Sequence, residues 1–115
     1  MKMEKTRNEG YGFYGTMHLD GCADEAWEIA MQAIGDETGA EPDEVRDFLD
    51  SRWGRHFADT VHCFLDKHSL RQAIIETIKE WNGWKLSLRT RRELDIPTPM
   101  PYLTGMVYAA AIAAQ

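Results

Sequence analysis

The strongest constraint on the fold lies between Ser69 and Gly83. Leu70, Ile74, Ile78 and Trp81 recur there at intervals of four, four and three residues, the period of a helix that buries one face. Ser69 offers the side-chain acceptor that starts a helix, and Asn82-Gly83 supplies its stop. A helix with one apolar stripe needs neighbours that cover it, so the rest of the chain must supply matching faces.

Four further segments do so. Over residues 24–38, Trp27, Ala30, Met31 and Ile34 fall at i, i+3, i+4 and i+7, and Gly39 follows as a C-terminal stop. Pro42 suits a first helical turn, Asp43 and Glu44 complement the positive end of its dipole, and Val45, Phe48 and Leu49 form the apolar side. Residues 51–54 read as a break, after which Phe57, Val61, Phe64 and Leu65 repeat the helical spacing. Residues 103–114 are Ala-rich and apolar nearly all round, as expected of a helix in the middle of a bundle or in a dimer interface.

The connections are less regular. Pro97, Pro99 and Pro101 stand at alternate positions, which predicts a stiff, extended connector. Residues 84–89 alternate apolar and polar, and two readings stay open: a short strand, or the opening of a helix that reaches Leu94. Residues 1–9 are polar and read as a flexible tail. In residues 10–16 glycines alternate with aromatics, without the Lys-Ser/Thr of a phosphate loop or the spacing of a dinucleotide fingerprint. They are expected to form an extended segment that docks its aromatics onto a helical core. The predicted fold is mainly α: a compact bundle of four to five helices with an extended Gly/aromatic N-terminal segment and room for a short strand or hairpin. The chain's 115 residues predict one domain spanning residues 1–115.

Several function classes find no signature. The longest apolar stretch, residues 106–114, is far short of the roughly 20 residues that cross a bilayer, and residues 1–10 lack the apolar core of an export signal. A cytoplasmic protein without membrane contact is expected. Cys22 and Cys63 stand far apart, outside any CxxC, and read as buried free thiols. His18, His56, His62 and His68 show neither HExxH nor an i, i+4 pair, so no metal and no cofactor are expected. Ser51, Ser69, Cys22 and Cys63 lack any local signature of an activated nucleophile, and the chain is not expected to be an enzyme. A base brought near in space leaves no sequence trace, which keeps open a small enzyme using His56, His62 and Cys63.

Charge is distributed unevenly. Residues 20–50 hold eleven acids and one base, Arg46, giving that segment −10; the whole chain's −6 then leaves +4 elsewhere. Lys85, Arg89, Arg91 and Arg92 cluster in one short stretch. Asp43, Asp47 and Asp50 stand at i, i+4 and i+7, opposite Val45 and Leu49, and Asp24 and Glu28 repeat the arrangement. Like charges at i, i+4 cost a few tenths of a kcal/mol per pair, so stability alone favours interspersed lysines. Two readings follow: a solvated, solubilising face, or a surface that imitates a nucleic-acid backbone and docks onto a basic groove. On the second, the contact residues are Asp24, Glu25, Glu28, Asp36, Glu37, Glu41, Asp43, Glu44, Asp47 and Asp50. A basic-aromatic cluster of Arg46, Arg52, Trp53, Arg55 and His56 also stands out. The net negative charge argues against direct DNA binding, and Arg52 and Arg55 are expected to pair with neighbouring acids.

Three stretches carry a family resemblance: Asn8-Glu9-Gly10-Tyr11-Gly12-Phe13-Tyr14-Gly15-Thr16; Phe48-Leu49-Asp50-Ser51-Arg52 with Gly54-Arg55-His56-Phe57-Ala58-Asp59; and Pro101-Tyr102-Leu103-Thr104-Gly105. Together they resemble small uncharacterised accessory proteins of plasmids, phages and integrated elements of Gram-negative bacteria. The resemblance implies an accessory role in a host bacterial cell and names no catalytic residue. Joined to the acidic helices, it makes the leading expectation an inhibitor of a host defence complex, of the anti-CRISPR or antirestriction type. The partner would be a host protein or ribonucleoprotein with a basic nucleic-acid-binding groove. The competing expectation is a homodimeric structural or regulatory module joined through Tyr102, Leu103, Val107, Tyr108 and Ile112.

Overall fold

Seven helices follow one another in the computed structural model, which describes residues 12–18, 21–96 and 99–114: α1 (Gly12–His18), α2 (Ala23–Thr38), α3 (Pro42–Asp50), α4 (Arg52–Leu65), α5 (Leu70–Asn82), α6 (Leu88–Glu93) and α7 (Tyr102–Ala113). The chain is mainly α, as the spacing predicts. Its Cα radius of gyration, 13.7 Å, is close to the roughly 13 Å expected of one compact domain of this length.

The boundaries follow local chemistry. At the end of α2, Gly39 adopts a left-handed conformation (φ 74°) and its N–H donates to the Gly35 carbonyl. Pro42 opens α3 behind a capping box in which Glu41 and Glu44 each accept from the other's backbone N–H. Ser51 is extended, closes α3 and caps α4 by accepting from the Trp53 N–H at 3.2 Å, so the break at residues 51–54 is a helix junction. Ser69 caps α5 by accepting from the Gln72 N–H.

The buried stripes meet in one core. Trp27, Ala30 and Ile34 of α2, Val45, Phe48 and Leu49 of α3, Phe57 and Val61 of α4, and Ile74, Ile78 and Trp81 of α5 are all buried. Trp81 is 2% exposed and joins two aromatic groups. Its ring meets Phe57 and Phe48 edge-on at 5.2 and 6.0 Å, and on the other side it meets Tyr102 at 5.1 Å and stacks with Trp84 at 5.8 Å. Each such pair contributes about 0.5–1.5 kcal/mol beyond its burial. In α7, Leu103, Met106, Val107, Ala109 and Ala110 are buried in the same bundle, while Tyr108 and Ile112 stay exposed.

Two elements differ from the expected four to five helices. Residues 12–18 form α1 rather than an extended segment. Phe13 and Met17, four apart, are fully buried, and Phe13 packs against Phe57 of α4. This tertiary burial outweighs the low helix propensity of Gly12 and Gly15. The second is α6, which Ser87 caps by accepting from the Thr90 N–H at 3.1 Å; the helix opens only at Leu88, so residues 84–87 belong to neither a strand nor the helix. Among the described residues the only β-type pairing is one isolated antiparallel bridge, Lys85 to Pro101. The flexible tail expected at residues 1–9 lies outside the described residues. So does part of the proline connector, whose last residue, Pro101, has the extended dihedrals (φ −59°, ψ 152°) that lead into α7.

Candidate functional site

The acidic side chains of α2 and α3 occupy several surroundings. On α3, Asp43, Asp47 and Asp50 lie opposite the fully buried Val45, Phe48 and Leu49. Asp43 is exposed and pairs with Arg46 at 3.0 Å, while Asp47 and Asp50 are half-buried. On α2, Glu28 and Asp36 line a groove of about 350 Å³ whose far wall is Pro42 and Val45 of α3. Gln32 lies between them and donates to both oxygens of Asp36 at 3.1 Å.

The remaining predicted contacts turn elsewhere. Asp24 and Glu25 border a second hollow of about 330 Å³ with Tyr14, His18 and Cys22, and the Tyr14 hydroxyl donates to Asp24 at 3.0 Å. Glu37 accepts from the Asn82 amide of α5. Glu41 and Glu44 are engaged in the α3 capping box, and Glu44 faces a third hollow beside Thr104, Val107 and Tyr108 of α7. Glu28 and Asp36 thus share the groove between α2 and α3, while Asp43 and Asp47 lie on the face of α3 turned away from the core.

His18 and Cys22 border one hollow, whereas His56, His62 and Cys63 all lie on α4. His18, His56 and His68 are exposed and His62 is half-buried. His56 and Cys63 are seven residues apart on α4, about 10.5 Å along its axis at 1.5 Å per residue, too far for direct proton transfer. Among the described residues no group of three His, Cys, Asp or Glu side chains is arranged to hold a metal. Neither cysteine is in a disulfide, but Cys63 is exposed and Cys22 half-buried, where the sequence predicts buried thiols. The reason is register: Cys63 falls two residues beyond Val61, off the stripe that α4 buries.

The basic clusters also depart from expectation. Among the described residues Arg52 pairs with no acid; its guanidinium lies 5.0 Å above the Trp53 ring. Neither Arg52 nor Arg55 forms an ion pair among the described residues. Around α6, Lys85, Arg89 and Arg92 are exposed, and Trp84 and Leu88 beside them are 43% and 53% exposed. The aromatic component of this patch is missed by a reading of charge alone, although Trp84 adjoins Lys85 in the sequence.

No helix among the described residues is long and apolar enough to cross a membrane. No protein-family model, no curated protein and no solved structure matches the chain.

Proposed function

We propose that the chain is a protein-binding inhibitor whose acidic α2–α3 surface occupies a basic, nucleic-acid-binding groove of a host defence complex, in the manner of mobile-element accessory proteins. The observation that carries this reading is the placement of Asp47 in the last turn of α3, a turn that contains no basic residue. The C-terminal end of a helix dipole is negative, and carboxylates there lose about 0.3–1 kcal/mol each relative to cations. Asp47 also follows Asp43 at i+4, a second unfavourable term. A carboxylate held against both local terms is explained by an external partner that supplies the positive charge. The mobile-element context rests on the sequence resemblance.

The homodimer reading draws on α7. Its Leu103 and Val107 are already buried in the chain's own bundle, which leaves Tyr108 and Ile112 as its exposed large side chains.

The test is affinity capture from a bacterial lysate, followed by competition. The captured complex should release as salt is raised, because surface charges screen within about 8 Å at physiological ionic strength. It should also lose its own DNA or RNA binding when the inhibitor is added. Converting Asp43, Asp47 and Asp50 together to Lys should abolish capture. A partner retained by the triple variant, or one that still binds nucleic acid in the complex, would leave the acidic surface with a solubilising role alone.

A further inference from the structure

We infer that the patch around Trp84 and α6 is a binding site for single-stranded nucleic acid, separate from the acidic surface. α6 is an unusual helix because it buries none of its residues. It is held at its two ends instead. Leu86 before it is buried against Gly105 of α7, and Ile96 after it is buried in the core. The result is a projecting helical loop fixed to a rigid bundle.

Trp84 is a preorganised platform beside that loop. Its N–H donates to the Trp81 carbonyl at 3.1 Å and its own carbonyl accepts from the Tyr102 N–H at 3.0 Å. Its ring is stacked with Trp81 (26° between planes) and meets Tyr102 edge-on at 5.3 Å. The indole thus keeps a fixed orientation while 43% exposed. Residues 81–92 contain four cations, Lys85, Arg89, Arg91 and Arg92, and no acid. Arg89 pairs with Glu93 at 3.1 Å, whereas Lys85, Arg91 and Arg92 have no ion pair among the described residues.

An exposed, fixed aromatic ring with cations on the residues that follow it in the chain is the combination that binds an unpaired strand, with bases stacking on the ring and phosphates meeting the cations. The chain's net charge of −6 does not oppose this, because its negative charge is concentrated in residues 20–50 and salt screens it beyond about 8 Å. A membrane surface fits less well: among the described residues of this patch Trp84 and Leu88 are the large apolar side chains exposed, and Trp84 is tied down rather than free to insert. The aspartates of a second copy would answer the charges but offer the indole no planar partner.

The test is fluorescence anisotropy of the intact chain with a labelled oligothymidylate of about 12 nucleotides, within the usual range of single-strand site sizes. Binding should weaken steeply with salt, with a log–log slope of about −2 for three phosphate contacts. Trp84→Ala should weaken it by about 5-fold or more, and Trp84→Phe should retain most of it. Lys85→Glu with Arg92→Glu, two exposed positions, should abolish binding with the circular dichroism unchanged. The triple reversal of Asp43, Asp47 and Asp50 should leave it intact or strengthen it, so the result is independent of the inhibitor reading. Absence of oligothymidylate binding at low salt overturns the inference, as does binding indifferent to both α6-patch variants. It is equally overturned if the wild type forms dimers, or binds anionic vesicles, through this patch without binding the oligonucleotide.

Discussion

Gly12 and Gly54 close on the same peptide group, the carbonyl of Leu49, from two different helices. A β-carbon on either would overlap that carbonyl, and Gly12 also holds a positive φ of 82°. The junction where α1, α3 and α4 meet is built on backbone-to-backbone approach, which no residue with a side chain permits.

Gly54→Ala should therefore destabilise the fold by about 3 kcal/mol, because the obstacle is main chain that cannot rotate away. Gly35 is the matched control, since a methyl there meets nothing nearer than 3.8 Å. Within α2, Gly35→Ala should stabilise by about 0.5–1 kcal/mol by restricting the unfolded chain. Thermal denaturation of both variants checks the pair; equal midpoints would refute the close-packed junction.

Trp81→Ala should cost about 3–5 kcal/mol, the usual range for removing a buried aromatic. Its ring touches Phe48, Phe57, Trp84 and Tyr102, so the loss spreads over α3, α4 and α7. Trp81→Phe should cost clearly less, losing the indole N–H bond to the Thr60 hydroxyl at 3.3 Å, worth about 1 kcal/mol. Urea unfolding of the two variants measures the difference.

Much of this architecture is legible in the sequence, and the reason is periodicity. The stripes of α2 to α5 and the stops at Ser51, Gly39 and Gly83 depend on near neighbours alone. α1 is not legible that way, because Phe13 and Met17 become a helical stripe only when Phe57 is there to receive them. The acidic candidates show the same divide. The spacing of Asp43, Asp47 and Asp50 is local, whereas the diversion of Glu37 to Asn82 spans two helices and leaves no sequence trace. Trp84 reads as core material by type, and only the fold reveals it on the surface.

Glu76 carries a carboxyl held below the ordinary carboxylate range. The main cause is the Gln72 amide, which donates to it at 2.7 Å; partial burial works against this, and the Lys79 ammonium at 3.5 Å and His68 add to the lowering. A folded pKa below the unfolded one stabilises the fold above the unfolded value, and that contribution is lost as pH falls through the folded value. Gln72→Leu should raise the Glu76 titration midpoint in an NMR pH series and shrink the acid-side loss of stability. A midpoint that does not move would remove Gln72 as the cause.

Asp47→Lys separates the two explanations of the acidic surface with one substitution. A lysine there would sit four residues after Asp43, in the favourable acid-before-base order, and in the last turn of α3, where the helix dipole prefers a cation. If the carboxylate served only the chain itself, the variant should be as soluble and as functional as the parent while gaining roughly 0.5 kcal/mol. On the inhibitor reading the stability gain should still appear, but capture of the basic partner should weaken by about tenfold or more, the cost of a like charge facing the groove. Stability rising while partner binding falls is the pattern expected of a residue retained for an external surface, and a variant that gained stability with unchanged capture would remove Asp47 from the contact.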